Sequence, residues 1–363
     1  MSNKCVEYIY YKEIYSLLKR AIISQQRENN MRGIIKIGSM VFFVIIFLSD
    51  NVLACKKEEC DMKTEQDSLN FEEVQKIEQW KNRIKPEFLK ASDKVDLAYY
   101  SFLPKSEPKA SLIFYHGGGF WSNRLYQKMA QELTEKFPVA VYLADLRGHG
   151  NSGGLRGDAP SAQQVWQDID DTVRFVKQRH SALPLFLGGH SAGAGVILNY
   201  SGWQKSNLVD GYFFVAPFLG GDSGTVQPNQ RFVKNIKIWA IIANVFSGGW
   251  LFNHTKAVFF NYPERLIKQD SYILTSYTTA MAIATSPHDA KSLFRKLKKP
   301  CALFVADRDE QFIPEKLIAF KDHLHENIKD KSFAQLICDA THLSIVLKAS
   351  EFLSQALEKF VSY

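Results

Sequence analysis

From residue 96 onward, short apolar runs alternate with stretches of helical spacing. Val95–Leu103 alternates apolar and polar positions and stops at Pro104. Ser111–Tyr115 and Val139–Leu146 are short runs rich in strand formers, and a Gly-rich turn follows the second. In Ser161–His180, Val165, Ile169, Val173, Phe175 and Val176 fall at helical spacing, and Ser161 stands where a side-chain cap belongs. Leu185–Leu187 reads as a fully buried strand entering Gly188-Gly189, and Ala192–Tyr200 as a helix. Tyr212–Val215, Ala302–Val305 and Phe333–Ile337 read as further strands, and Leu343–Val361 as a closing amphipathic helix. This βαβα order predicts an α/β fold, a mostly parallel sheet flanked by helices. Residues 218–290 break the alternation, carry little strand signal and are expected to form an inserted helical cap. Their most apolar run, Ile236–Phe252, is expected chiefly as packed core of that cap; an acyl-pocket wall or a lipid-dipping surface are the functional alternatives. Lys234, Lys237 and Lys256 lie in or near it, as solvated surface groups or as partners for phosphate headgroups.

The N-terminal part has a different character. Arg32 and Lys36 precede the apolar run Ile37–Leu48, and small and polar residues lead to Val52-Leu53-Ala54-Cys55. Residues 31–54 therefore read as an export signal or membrane anchor. The last four residues resemble the lipobox of bacterial lipoproteins, which makes Cys55 a lipidation candidate, although Leu53 stands where a smaller residue is usual. An uncleaved anchor and an ordinary cleaved signal are the competing readings. Each places the rest of the chain outside the cytoplasm, in or at a bacterial cell envelope. Residues 1–30 read as an over-extended start before Met31, residues 55–84 as a polar tether, and 85–363 as the α/β domain that carries the cap insertion at about 218–290.

The whole chain has 363 residues and a formal net charge of +7, of which residues 1–54 supply +3. The remaining excess is weak and not gathered into a run, which argues against nucleic acid as the main partner. The five cysteines include no C-x-x-C pair. Cys301 opens one expected strand and Cys338 closes the next, at opposite ends of parallel neighbours, so buried free thiols are expected rather than a bridge.

Three motifs carry chemistry. Gly189-His190-Ser191-Ala192-Gly193 fits G-x-S-x-G between a strand and a helix, where glycines let a sharp turn expose a nucleophilic serine. His116-Gly117-Gly118-Gly119 follows a strand, and its bare backbone offers N–H donors for an oxyanion. Gly118 is the leading donor with Gly119 second, and the N–H of Ala192 is the expected partner donor, aided by the positive end of its helix. A serine nucleophile needs a base and an orienting carboxylate. His342 follows the last strand and is the expected base. Asp309, or else Asp307, follows the preceding strand and is the expected acid. No zinc-type H-E-x-x-H spacing occurs, and no metal or organic cofactor is implied.

Together with Asp145-Leu146-Arg147-Gly148-His149-Gly150-Asn151-Ser152, of the D-x-R-G-x-G-x-S type, these residues resemble the α/β-hydrolase superfamily. Within it they look like the monoacylglycerol lipase / lysophospholipase family, also catalogued as serine aminopeptidase S33-like. Related enzymes commonly have Gly where Ala306 precedes the acid loop, and a polar loop where Phe120-Trp121 follows the glycines. The resemblance implies hydrolysis of carboxylic esters, with a lysophospholipid or monoacylglycerol as substrate and a membrane surface reached through the N-terminal anchor. A general carboxylesterase, an amide hydrolase or aminopeptidase, and a non-catalytic binding protein are the competing readings. Oligomeric state is not legible.

Overall fold

A computed structural model describes residues 84–122, 124–204 and 207–362, together with Leu69 and Phe71. The export-type segment and Cys55 lie outside the described residues. Among the described residues no helix is long and apolar enough to cross a membrane.

Eight strands form the central sheet: β1 (Glu87–Lys90), β2 (Asp96–Phe102), β3 (Ala110–Tyr115), β4 (Val139–Ala144), β5 (Leu185–His190), β6 (Gly211–Val215), β10 (Cys301–Ala306) and β11 (Phe333–Ile337). Their order is β1-β2-β4-β3-β5-β6-β10-β11. The first two pairings are antiparallel. From β4 to β11 every neighbour is parallel. β3, β4, β5, β6 and β10 are buried along their whole length, as expected for strands covered on both faces.

The pleat sends alternate residues to opposite cores. Ile113, Tyr115, Ala140, Tyr142, Leu185 and Leu187 meet helices α2 (Ala162–Arg179) and α3 (Ala192–Trp203). Leu112, Phe114, Val139, Val141 and Leu143 meet α1 (Arg124–Lys136) and the closing helix Ala349–Val361. Ser161 caps α2 by accepting the Gln164 N–H at 3.0 Å. The continuous closing helix expected over 343–361 is instead a 3-10 turn, Ser344–Lys348, followed by the α-helix. Cys301 and Cys338 are both free; Cys301 is buried, but Cys338 is exposed because it lies beyond the end of β11.

The insertion departs from the expected all-helical cap. It contains a three-stranded antiparallel sheet of β7 (Val233–Ile236), β8 (Lys256–Phe260) and β9 (Ser276–Thr278), with short helices around it. The apolar run supplies only one nine-residue helix, α4 (Ile238–Phe246), of which Ala240 and Asn244 alone are buried. Ile236, Trp239, Val245, Trp250, Leu251 and Phe252 are exposed, Trp250 at 83%. This run is therefore mostly surface, not the packed core of the cap.

The tether expected over 55–84 is also not tether throughout. Leu69 and Phe71 are fully buried with Phe120, Tyr262, Ile273 and Leu343. The Phe71 ring lies 6.0 Å from that of Tyr262 and 6.4 Å from that of Phe120. Apolar burial of this kind places the edge of the folded body ahead of residue 85.

Candidate active site

Ser191 sits between β5 and α3 with φ +54° and ψ −118°, a region that side-chain-bearing residues rarely occupy. Three backbone hydrogen bonds hold it there. Its N–H donates to Val215, and its carbonyl accepts from Gly195 and Phe218, all at 3.0–3.1 Å. The flanking glycines are required by contact. A Cβ on Gly193 would lie 2.4 Å from the His116 carbonyl oxygen, and one on Gly189 2.4 Å from the Gly193 carbonyl carbon. The turn is thus pressed against the end of β3, which carries the H-G-G-G loop.

The loops after β10 and β11 bring the other expected residues to the serine. His342 Nε2 lies 2.9 Å from Ser191 Oγ. On the other side of the ring, Nδ1 meets Asp309 at 2.9 and 3.1 Å, one contact to each carboxylate oxygen. Asp309 Oδ1 also accepts the N–H groups of Gln311 and Phe312 at 2.8 and 2.9 Å. Asp309 and His342 are 3% and 4% exposed, so this ion-pair geometry is shielded from water. Burial disfavours a charged His342. The Asp309 carboxylate, through its charge and hydrogen bond, and then Glu310 outweigh that penalty and hold the imidazole above its usual range. Glu310 also accepts the His342 backbone N–H at 3.0 Å. Asp307, the alternative acid, is occupied elsewhere: its carboxylate accepts the N–H groups of Asp339 and Ala340 at 2.9 Å.

The H-G-G-G loop is nearly saturated with partners. Gly117 N–H donates to the Tyr126 hydroxyl at 2.9 Å. The Gly117 carbonyl accepts from His116 Nδ1 and from Phe120 N–H. Gly119 N–H donates to the Tyr277 hydroxyl at 2.7 Å, which withdraws the second candidate donor. Gly118 N–H and Ala192 N–H have no acceptor among the described residues. A Cβ placed on Gly118 would be 3.3 Å from that of Ala192, so these two backbone positions face each other beside Ser191.

Two participants, His190 and Tyr126, were not singled out from the sequence. His190 Nε2 donates to the His342 carbonyl at 2.8 Å, and His190 Nδ1 accepts from Tyr126 at 2.9 Å. Burial, and next the neighbouring His342, push its pKa well down, so it is a neutral link between the His342 loop and the glycine loop. Its position inside G-x-S-x-G was the only available signal. The D-x-R-G-x-G-x-S turn is a scaffold beside the site. Buried Asp145 accepts Ser122 and Asn151 N–H at 2.7 and 2.9 Å, and Arg147 forks onto Asp168 at 2.6 and 2.7 Å. Burial lifts the Asp145 carboxyl to about 6 against those hydrogen bonds.

A family model described as serine aminopeptidase, S33 matches residues 106–342, more than half of the chain. The chain belongs to that family. Among curated proteins, it is 30% identical to the monoacylglycerol lipase of Mycolicibacterium smegmatis over 106 residues, which is 29% of this chain and 37% of that one. It is 30% identical to the monoglyceride lipase of Rattus norvegicus over 116 residues, 32% of this chain and 37% of the relative. The first curated relatives are matched over 13–51% of their own length. Among solved structures, a soluble variant of monoglyceride lipase from Saccharomyces cerevisiae aligns with TM-score 0.60 at 17% identity, covering 77% of this chain and 97% of that one. Monoacylglycerol lipase from Paleococcus ferrophilus aligns with TM-score 0.55 at 21% identity, over 73% and 98%. At such identities the structural likeness establishes the fold, which is that of the α/β-hydrolases.

Proposed function

We propose that this protein is a serine ester hydrolase acting on single-acyl lipids, a lysophospholipid or a monoacylglycerol. The observation that carries the reading is the unbroken hydrogen-bonded series Ser191–His342–Asp309 beside the unengaged Gly118 and Ala192 amides. In this mechanism Ser191 Oγ attacks the ester carbonyl while His342 Nε2 takes its proton. Asp309 holds Nδ1–H and offsets the charge that forms on the ring. The carbonyl oxygen gains negative charge between the two amides, at the N-terminus of α3. His342 then protonates the leaving alcohol, and water repeats the sequence on the acyl-enzyme to release the fatty acid.

The lipid assignment has two supports besides kinship to monoglyceride lipases. The cap exposes Trp239, Val245, Trp250, Leu251 and Phe252 together, and solvent-exposed apolar side chains of this size are suited to a lipid surface. Lys234 and Lys256 are exposed near them, where anionic headgroups would meet positive charge. The export-type segment 31–54 and lipidation at Cys55 complete the proposal, placing residues 85–363 on the outer side of a bacterial membrane.

Fatty-acid release tests the reading, measured for the full chain in detergent beside Ser191→Ala. The panel comprises lysophospholipids, monoacylglycerols, diacyl lipids, short nitrophenyl esters and aminoacyl amides. Release from long single-acyl lipids, abolished in Ser191→Ala, is the expected result. Turnover of short esters or of amides alone would replace the lipase reading with a carboxylesterase or an aminopeptidase.

A further inference from the structure

We infer that Tyr262 and Tyr277, two tyrosines of the cap, are positioning residues that set the oxyanion donor. The inference rests on the ester-hydrolase reading above and adds to it a role for the inserted domain. The Gly118–Gly119 peptide unit is held at both ends by cap hydroxyls. Its carbonyl, on Gly118, accepts from Tyr262 OH, and its N–H, on Gly119, donates to Tyr277 OH at 2.7 Å. The cap also supplies Leu274 N–H to the Gly119 carbonyl at 2.8 Å. From the other side, Tyr126 holds Gly117 N–H. Gly118 N–H is thus the single amide of Gly117–Gly119 left without a protein acceptor among the described residues. That N–H lies in the preceding Gly117–Gly118 peptide, whose carbonyl accepts from His116 Nδ1 at 2.9 Å and Phe120 N–H at 3.2 Å. With this peptide held on one side of the Gly118 Cα and the cap-held peptide on the other, neither backbone torsion of Gly118 can turn freely. The direction of its N–H is thus set before substrate arrives, which is what preorganised stabilisation requires.

Both tyrosines are themselves fixed. The Tyr262 ring is packed by Phe71 at 6.0 Å and, edge to face, by Phe120 at 5.4 Å and Phe232 at 5.0 Å. Tyr277 donates to His149 Nε2 at 2.7 Å while its oxygen accepts from Gly119. His149 Nδ1–H in turn donates to the Arg147 carbonyl at 2.9 Å. This fixes the tautomer in which Nε2 is an acceptor. Burial, and next the nearby His116, keep the ring neutral, as that role demands. The D-x-R-G-x-G-x-S turn therefore reaches the oxyanion loop through His149 and Tyr277. The hydroxyls act through Gly118 and not on the substrate, so they are positioning groups.

The test compares Tyr262→Phe, Tyr277→Phe and the double variant with wild type. Tyr99→Phe serves as a control for losing a tyrosine hydroxyl bond far from the site, its partner being Glu87. Turnover of a soluble nitrophenyl butyrate is measured against the active fraction titrated with a fluorophosphonate. Affinity for a trifluoromethyl ketone, which forms the tetrahedral adduct, is measured in parallel. Each single variant is expected to lose about tenfold in kcat and the double variant about a hundredfold, the low end for loss of an oxyanion donor. KM is expected to stay within roughly twofold, and ketone affinity to fall by the same factor as kcat, as for a contact made only in the transition state. Wild-type turnover with kcat and ketone affinity unchanged in the double variant would overturn the inference alone. A wild type that neither hydrolyses the ester nor reacts with the fluorophosphonate would overturn the ester-hydrolase reading, and this inference with it.

Discussion

Asp309 meets His342 Nδ1 with both carboxylate oxygens, at 2.9 and 3.1 Å, while two backbone N–H groups fix one of those oxygens from behind. The carboxylate is therefore aimed by the chain that follows it, Gln311 and Phe312, before it aims the imidazole. Asp309→Asn presents an amide in place of an acceptor and favours the tautomer that cannot take the serine proton. Its kcat is expected to fall by about 10⁴-fold with little change in folding. Asp307→Asn is the counterpart. It weakens the turn at Asp339–Ala340 and is expected to lower the melting temperature while kcat changes by less than about threefold. Steady-state kinetics and thermal melts of the two variants separate the roles; equal losses of kcat would contradict the assignment.

The serine itself makes a backbone prediction. Its φ of +54° is tolerable for Ser and costly for a β-branched side chain. Ser191→Ala should stay folded and be inactive. Ser191→Thr keeps a hydroxyl, yet it is expected to be inactive as well and to lose about 1–3 kcal/mol of stability. Chemical denaturation of both variants checks this, and a Thr variant as stable as Ala would remove the argument from strain.

A pH dependence follows from the environment of His342. The imidazole pKa is raised above 6.5, so protonation begins at a higher pH than for a free histidine. Protonated His342 has no lone pair for the serine proton. Thus kcat/KM for the soluble ester should rise with pH through a single step above 6.5 and be lost on the acid side. Glu310→Gln removes one of the raising charges and should move that step to lower pH. A pH–rate profile that stays put in this variant would assign the shift to Asp309 alone.

The exposed cap residues make a prediction about location rather than chemistry. Trp239 and Trp250 are 50% and 83% exposed. Replacing both with Ser should reduce sedimentation of the protein with phosphatidylglycerol vesicles and slow hydrolysis of vesicle-borne lysolipid. Turnover of nitrophenyl butyrate should hold within about twofold, since both side chains face solvent and neither is among the groups that hold the proposed site. Unchanged vesicle binding would return the patch to ordinary surface.

The legible parts of the sequence are those whose signals are local. Strands buried on both faces give short continuous apolar runs, so β3, β4, β5, β6 and β10 stand out, and the loops after β5, β10 and β11 carry Ser191, Asp309 and His342. The cap was less readable. β7 and β8 are partly exposed, β9 is three residues long, and register shifts interrupt both ladders, so no period-two pattern survives in the chain. Tyr262 and Tyr277 are invisible for a different reason. They reach the glycine loop across 144 and 158 residues, and nothing local to a tyrosine records a partner that distant. His190 lay in plain sight within the serine motif, but its bond to the His342 carbonyl exists only once the last loop is in place.

Leu69, buried with Phe71 and Tyr262, marks the near end of the stretch that starts at Cys55. Thirteen residues lie between them, a span of at most about 50 Å when fully drawn out. With Cys55 acylated as proposed, the catalyst works on a short leash. Its encounters are then with molecules drifting in the same sheet of lipid, and the quantity that governs its rate is substrate per unit area, not per unit volume.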